Sequence, residues 1–265
     1  MKRSFLLTLV AALATGCATP SASLNRVQDT VGAHTGQRVH WNRGGPEDAQ
    51  IEQGVQALLR RQLTAGSAVQ IALLNNRELQ ARFEEIGIAQ SEVIQAGLIT
   101  NPNFAASFRF PNRPPSGTNI EYSVAQNFLE LLVLPLRKRI ANAQLVQTEI
   151  HVADEVLKLV VEVKIAFYTG QARQQLLDRL RVVTETNETA AEFTKRLHDA
   201  GNTSDLELAN QQGSYEQSRL EVAQTELQVR RDRERLNRLL GLWGSQTTWT
   251  MANHLPELPG SEGSL

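Results

Sequence analysis

The fold is decided by the sequence Arg196-Leu197-His198-Asp199-Ala200-Gly201-Asn202-Thr203-Ser204-Asp205-Leu206-Glu207-Leu208, a short turn between two long helical stretches. Residues 137–200 contain no proline and a single glycine, which predicts one very long helix before the turn. At 1.5 Å per residue, this helix could reach roughly 100 Å. We expect Gly201 to take the left-handed conformation that ends it, and Ser204 or Thr203 to cap the next helix.

Apolar spacing predicts that the two helices pair as an antiparallel coiled coil. In the long helix, residues 129–200, the apolar positions follow a 4-3-4-3 pattern typical of a coiled-coil seam. In the return helix, residues 206–242, they follow a 3-4-3-4 pattern with one charged break at Glu216. The predicted seams are Leu176, Leu180, Val183, Asn187 and Ala190, and Leu206, Ala209, Gly213, Glu216, Leu220, Ala223 and Leu227.

Upstream of the long helix, the pattern changes from helix to strand. Helical spacing covers residues 63–102, and apolar residues then alternate with polar or small ones from residue 103. A proline-rich stretch at 111–117 separates this run from a second alternating run. The sequence therefore predicts a two-stranded β-hairpin within residues 103–128.

Each strand has the length and the alternation of a membrane β-strand. We expect the apolar face to contact lipid and the opposite face, with Ser107, Arg109, Glu121 and Ser123, to line a lumen or its rim. The alternative is a hairpin packed on a soluble core, but no other strand-rich segment is available to pack on. The predicted lipid-facing residues are Phe104, Phe108, Ile120, Tyr122 and Val124.

The N-terminus has the features of an export signal. A short basic start precedes an apolar stretch too short to span a bilayer, so residues 1–16 read as a signal peptide. The string Leu13-Ala14-Thr15-Gly16-Cys17 resembles a bacterial lipobox, which implies acylation of Cys17, including palmitate, and outer-membrane sorting. An ordinary secretory signal is the alternative. The lone exported cysteine, which has no disulfide partner, argues against it.

Composition excludes several function classes. The net charge of -1 provides no basic excess for nucleic acid. No motif of a hydrolase, phosphate-binding loop or metalloprotease is present, and we find no helical ligand pairing among the five histidines. The sequence predicts no enzyme, no metal site and no cofactor. Residues 17–62 are expected to contain a lipidated tether without its own core, which runs to about Pro46, and then a short helix from Pro46 to Gln62.

Four strings carry a family resemblance: Ser67–Leu79, Gln95–Pro102, Ala200–Asp205 and Leu236–Gly241. In this order, with a strand hairpin between the second and third, they resemble one half of a TolC-type outer-membrane efflux factor. The resemblance implies a mainly α fold, with an α-barrel-type helical hairpin and one membrane β-hairpin. Residues 63–102 would be the first tunnel helix, 201–205 the periplasmic tip, and 243–265 an equatorial segment and tail.

The resemblance also implies partners and a location. Members of the family are trimers in the outer membrane, contact its lipid and extend into the periplasm. They act as passive conduits that dock a periplasmic adaptor and an inner-membrane transporter. By resemblance, the docking residues are Ala200, Gly201, Thr203, Ser204 and Asp205. The alternative is that these residues only build the turn.

The family has two such repeats per chain, whereas this sequence has one. We expect a truncated chain, because Leu255–Pro259 resembles the connection into a second repeat, although several half-chains could instead assemble. Two other function classes stay open: a periplasmic coiled-coil adaptor and a structural coiled-coil lipoprotein. The amphipathic strand hairpin argues against both.

We predict that Cys17 anchors the chain by its acyl groups. A Cys17→Ser variant should lose incorporation of labelled fatty acid, because the thiol is the only acceptor of this kind in the chain. Absence of label in the unmodified protein would show that the anchor assignment is wrong.

Overall fold

A computed structural model describes residues 21–110 and 119–257 of the chain. The predicted signal peptide, Cys17, the loop at 111–117 and the end of the tail lie outside these residues. The elements are α1 Ser21–Thr35, α2 Pro46–Leu59, α3 Ala65–Asn75, α4 Arg77–Ala96, β1 Asn103–Arg109, β2 Asn119–Ala125, α5 Leu129–Asp199, α6 Asp205–Leu240 and a 3-10 turn, Gly244–Thr247.

The predicted fold class is confirmed: two long helices joined by a short turn, and one two-stranded antiparallel sheet formed by β1 and β2. The described chain divides into two compact units. The first contains residues 21–30 and 82–153, without the undescribed loop, and the second contains residues 31–81 and 154–257.

The short helix predicted from Pro46 is present as α2, but the expectation of a tether without a core is wrong for the described residues before it. Helix α1 forms there, and Val27 and Val31 are fully buried at a spacing of four residues. In the first unit, Arg26 Nη2 donates to Glu149 Oε1 at 2.5 Å, and this hydrogen bond raises the pKa of Arg26. The helix was missed because its apolar residues are few and lie among Ser, Thr, Gly and His.

The predicted single helix over 63–102 is broken at Asn76, whose ψ of 120° is extended. The break leaves two asparagine side chains beside the end of α6. Asn75 Nδ2 donates to the carbonyl oxygens of Leu240 and Gly241, at 3.0 and 2.9 Å. Asn76 Nδ2 donates to Leu239 O at 2.8 Å, and its Oδ1 accepts from Leu79 N and so starts α4. The break therefore satisfies the last carbonyls of α6.

Close backbone contact at the end of α6 requires a glycine. Gly241 has a φ of +68°, in the left-handed region that favours glycine. A Cβ atom added to it would lie 2.3 Å from the carbonyl oxygen of Asn75. The ends of α3 and α6 are thus held together at backbone distance.

Polar side chains fix the antiparallel pairing of α5 and α6. Arg173 Nε lies 2.9 Å from Asp232 Oδ2, and Arg181 Nη2 lies 2.8 Å from Glu226 Oε1. Nearer the turn, Tyr215 Oη donates to Glu188 Oε1 at 2.8 Å, a hydrogen bond that raises the pKa of Tyr215.

The predicted coiled-coil seams are wrong in detail. Leu177, Ala191 and Thr194 are buried on α5, whereas the predicted Leu176 and Val183 are exposed. On α6, the predicted seam residues Leu206, Leu220 and Leu227 are 71 %, 52 % and 49 % exposed, and Ser218 is buried instead. Both helices carry apolar residues on two faces, so spacing alone did not show which face packs inside the chain.

The segment after α6 packs through one tryptophan. Trp249 is buried, and its Nε1 donates to Asn237 Oδ1 at 2.7 Å. Arg233 donates to Trp249 O at 2.6 Å, and burial lowers the pKa of this arginine. A single parallel β-bridge joins Met251 of this segment to Leu63.

We predict that Gly241→Ala destabilises the fold by about 1–3 kcal/mol from backbone strain, with a further loss from the overlap with Asn75. Gly244→Ala is the matched control, because Gly244 also has a positive φ but has open space where its Cβ would be. Chemical denaturation would measure both. Equal losses in the two variants would show that the contact with Asn75 contributes nothing.

Candidate membrane hairpin and helical tip

The strand register places all five predicted lipid-facing residues on one face. Phe104 pairs with Val124 and Phe108 with Ile120, while Ala106 pairs with Tyr122 between them. The β1 and β2 residues are exposed throughout, and these five side chains are between 48 and 75 % exposed. Apolar residues that lie directly opposite each other on an uncovered face form one continuous apolar surface.

The opposite face of the hairpin is polar or small. Ser107 pairs with Glu121 and Ala105 with Ser123. Arg109 Nη2 lies 3.4 Å from Glu121 Oε2, so the charged residues of this face form an ion pair with each other. The two faces therefore differ in the way that the alternating sequence predicts.

The exposed apolar surface continues beyond the strands into the start of α5. Large apolar side chains there are exposed on most sides of the helix, although a helix in water normally has a polar side. Thr100 donates to Glu130, and Arg137 lies 3.7 Å from the same carboxylate, so polar contacts accompany this surface. The exposed residues are Phe128, Leu129, Leu131, Leu132, Val133 and Leu136.

At the other candidate site, the turn between α5 and α6, the predicted backbone geometry is confirmed. Gly201 has a φ of +75°, and Asn202 N donates to Leu197 O at 2.8 Å to close the end of α5. Of the two candidate caps, Ser204 is the one used, since its Oγ accepts from Glu207 N at 3.2 Å.

The five predicted tip residues lie together in this turn. Ala200, Gly201, Ser204 and Asp205 are exposed, and Thr203 is half-buried. One contact across the turn was missed from the sequence: His198 Nε2 lies 2.6 Å from Asp205 Oδ1. The sequence pattern that predicts this contact is a histidine before the glycine turn and an aspartate after it.

One mixed cluster of possible metal ligands was not predicted from the sequence. His151, Asp154 and Glu155 stand at positions i, i+3 and i+4 of α5. The two carboxylates are already engaged, because Lys158 Nζ lies 2.8 Å from Asp154 and 2.9 Å from Glu155. These two contacts, that with Asp154 first, raise the pKa of Lys158 and hold its positive charge beside them.

Among the helices in the described residues, none combines the length and the apolar character needed to cross a membrane.

Comparison with solved structures shows what the chain is similar to. It matches CusC with a TM-score of 0.61 and 16 % identity, over 75 % of this chain and 49 % of that one. It matches the Campylobacter jejuni CmeC outer membrane channel with a TM-score of 0.62 and 13 % identity, over 74 % and 45 % of the two chains. A membrane protein from Pseudomonas aeruginosa gives a TM-score of 0.57 and 24 % identity, over 79 % and 49 %.

These similarities show the fold: the chain has the architecture of one half of a TolC-type outer-membrane channel. It spans about half the length of the solved structures that it matches. Family models and curated protein sequences gave no match.

Proposed function

We propose that the chain forms part of the wall of an outer-membrane efflux conduit. In this proposal, β1 and β2 lie in the membrane with their apolar face toward lipid, and α5 and α6 extend into the periplasm. The conduit is passive, and the protein is not an enzyme. The observation that carries the proposal is the uncovered apolar face of the hairpin, formed by opposed large side chains on a chain with a TolC-type fold.

The outward faces of α5 and α6 support self-association. Leu206, Leu220 and Leu227 follow coiled-coil spacing on the side of α6 that does not pack on α5. Helix α5 has its own exposed apolar residues at similar spacing, including Leu176 and Val183. A helix with two apolar faces fits a cylinder in which each helix packs against a neighbour on both sides. The trimer of the family is one such assembly.

The two open strands also support self-association. A two-stranded sheet leaves one edge of each strand unpaired, and unpaired backbone groups are costly in lipid. Further strands, from other copies or from a further repeat, would complete the barrel.

The tip is the proposed docking surface for a periplasmic adaptor, which would connect the conduit to an inner-membrane transporter. Its support is the exposure of Ala200, Gly201, Ser204 and Asp205 at the end of the helix pair. Acylation of Cys17 would add a lipid anchor in the outer membrane.

Vesicle permeability tests the conduit. The chain, reconstituted in phospholipid vesicles, should release a small trapped dye. Tyr122→Arg, at the middle of β2, should abolish release, because arginine on the lipid face near the bilayer centre costs about 2–4 kcal/mol. Ser123→Arg is the matched control on the other face and should insert normally. Equal effects of the two substitutions would contradict the membrane hairpin, whereas no release by the unmodified chain would exclude a barrel completed by copies of this chain alone.

Crosslinking tests the tip. Replacing Thr203, Ser204 and Asp205 with alanine should reduce crosslinking to the adaptor, while loss of the Ser204 cap should cost the fold only about 1 kcal/mol. Ser214→Ala, on the exposed surface of α6, is the control. Unchanged crosslinking by a folded triple variant would show that these residues only build the turn.

A further inference from the structure

We propose that the outward face of the last turns of α6 binds multivalent oxyanions. Residues 230–238 contain five arginines and two acidic residues. One acidic residue and one arginine of this segment make contacts within the fold. Asp232 pairs with Arg173, and Arg233 donates to the carbonyl oxygens of Thr247 and Trp249. The other four arginines form what we call the arginine face: Arg230, Arg231, Arg235 and Arg238.

The arginine face carries a positive charge that the chain itself does not balance. All four side chains belong to exposed residues, and among the described residues none lies within 4.0 Å of a carboxylate oxygen. The single acidic residue on this face, Glu234, instead accepts a hydrogen bond from Asn237. Arg231 and Arg235, one helical turn apart, repel each other, so the arrangement weakens the helix without an anion.

Two neighbouring grooves give the face its shape. Arg230, Arg231, Arg235 and Arg238 line a groove of about 330 Å³ together with Glu234. Arg238 also lines a second groove, of about 310 Å³, with Arg77, Trp243 and one acidic residue, Glu78. Trp243 is 67 % exposed, and the Arg77 guanidinium lies 5.9 Å from the centre of its ring. Five guanidinium groups therefore border one connected surface.

The same side of α6 changes character along its length. It is apolar at Leu220 and Leu227, and arginines follow at the corresponding positions, such as Arg231 and Arg238. A packed helix would bury the leucines favourably, but burying unpaired guanidinium groups is costly. Packing of another copy on this outward side of α6 would therefore end near Leu227, so that the arginine face borders water.

Guanidinium groups bind phosphate and carboxylate oxygens in pairs of parallel hydrogen bonds. Several such groups on one surface favour an anion with more than one charged group over a monovalent one. The ligand class is therefore a solute with several phosphate or carboxylate groups, or the phosphate headgroup of an anionic lipid. The inference does not depend on conduction, since the arginine face would bind anions whether or not the chain forms a conduit.

The test uses inorganic tripolyphosphate and the full chain in neutral detergent, with calorimetry as the main readout and the combined fluorescence of the three tryptophans, Trp243 among them, as a second. We expect saturable binding that weakens as salt rises, because charges at a surface are screened. The triple variant Arg231→Gln, Arg235→Gln, Arg238→Gln should bind roughly tenfold or more weakly, since the loss of even one charge-assisted hydrogen bond approaches that factor. The control Arg61→Gln, Arg139→Gln, Arg179→Gln removes the same charge from other exposed sites and should bind normally.

A second arm distinguishes the sources of the anion. Adding phosphatidylglycerol to the micelles should lower tripolyphosphate affinity in an arginine-dependent way if a lipid headgroup is the ligand, and should leave it unchanged if a free solute is. Equal weakening by both triple variants would overturn the proposal in favour of general charge attraction. The proposal would also be overturned if the arginine-face variant bound tripolyphosphate normally but changed its oligomeric state. That result would make the arginine face an interface between copies.

Discussion

The described residues have more apolar surface than they bury among themselves, and the other features of the structure depend on this constraint. Two antiparallel strands pair only with each other, so Phe104, Phe108 and Tyr122 have nothing to cover them in the described residues. Exposure of this kind is costly in water, by about 25 cal/mol for each Å² of apolar surface left uncovered. In the proposed conduit, lipid removes this cost on one face of the hairpin, and the polar opposite face, with its Arg109–Glu121 ion pair, remains suited to water.

The two long helices also leave apolar surface exposed. One face of α6 packs on α5, where Arg173–Asp232 and Arg181–Glu226 fix the pairing, and the other face repeats an apolar pattern toward the outside. At one end of α6, Gly241 contacts the backbone of Asn75 in α3, and at the other end the turn at Gly201 joins α6 to α5. A helix pair with uncovered outer faces suits a subunit that assembles side by side.

The sequence predicted the elements better than it predicted their faces. Alternation at Phe104–Phe108 and glycine at 201 each have one structural interpretation, and the hairpin and the turn were predicted correctly. The coiled-coil seam was not, because Leu176 and Leu177 are chemically identical and only tertiary contacts decide which is buried. The break at Asn76 was missed since its cause is a distant partner, the end of α6. The role of the tip depends on a partner that no single chain contains.

The orientation of the hairpin in the membrane is the most direct test. Spin labels placed singly at positions 104, 122 and 124, and at 107, 121 and 123, on a Cys17→Ser background, would report contact with lipid or with water in reconstituted vesicles. We predict that oxygen, which dissolves in lipid, relaxes the labels at 104, 122 and 124 most strongly. A water-soluble nickel chelate should relax the labels at 107, 121 and 123. Equal access of the nickel chelate to both sets would contradict a membrane hairpin, and with it the proposed conduit.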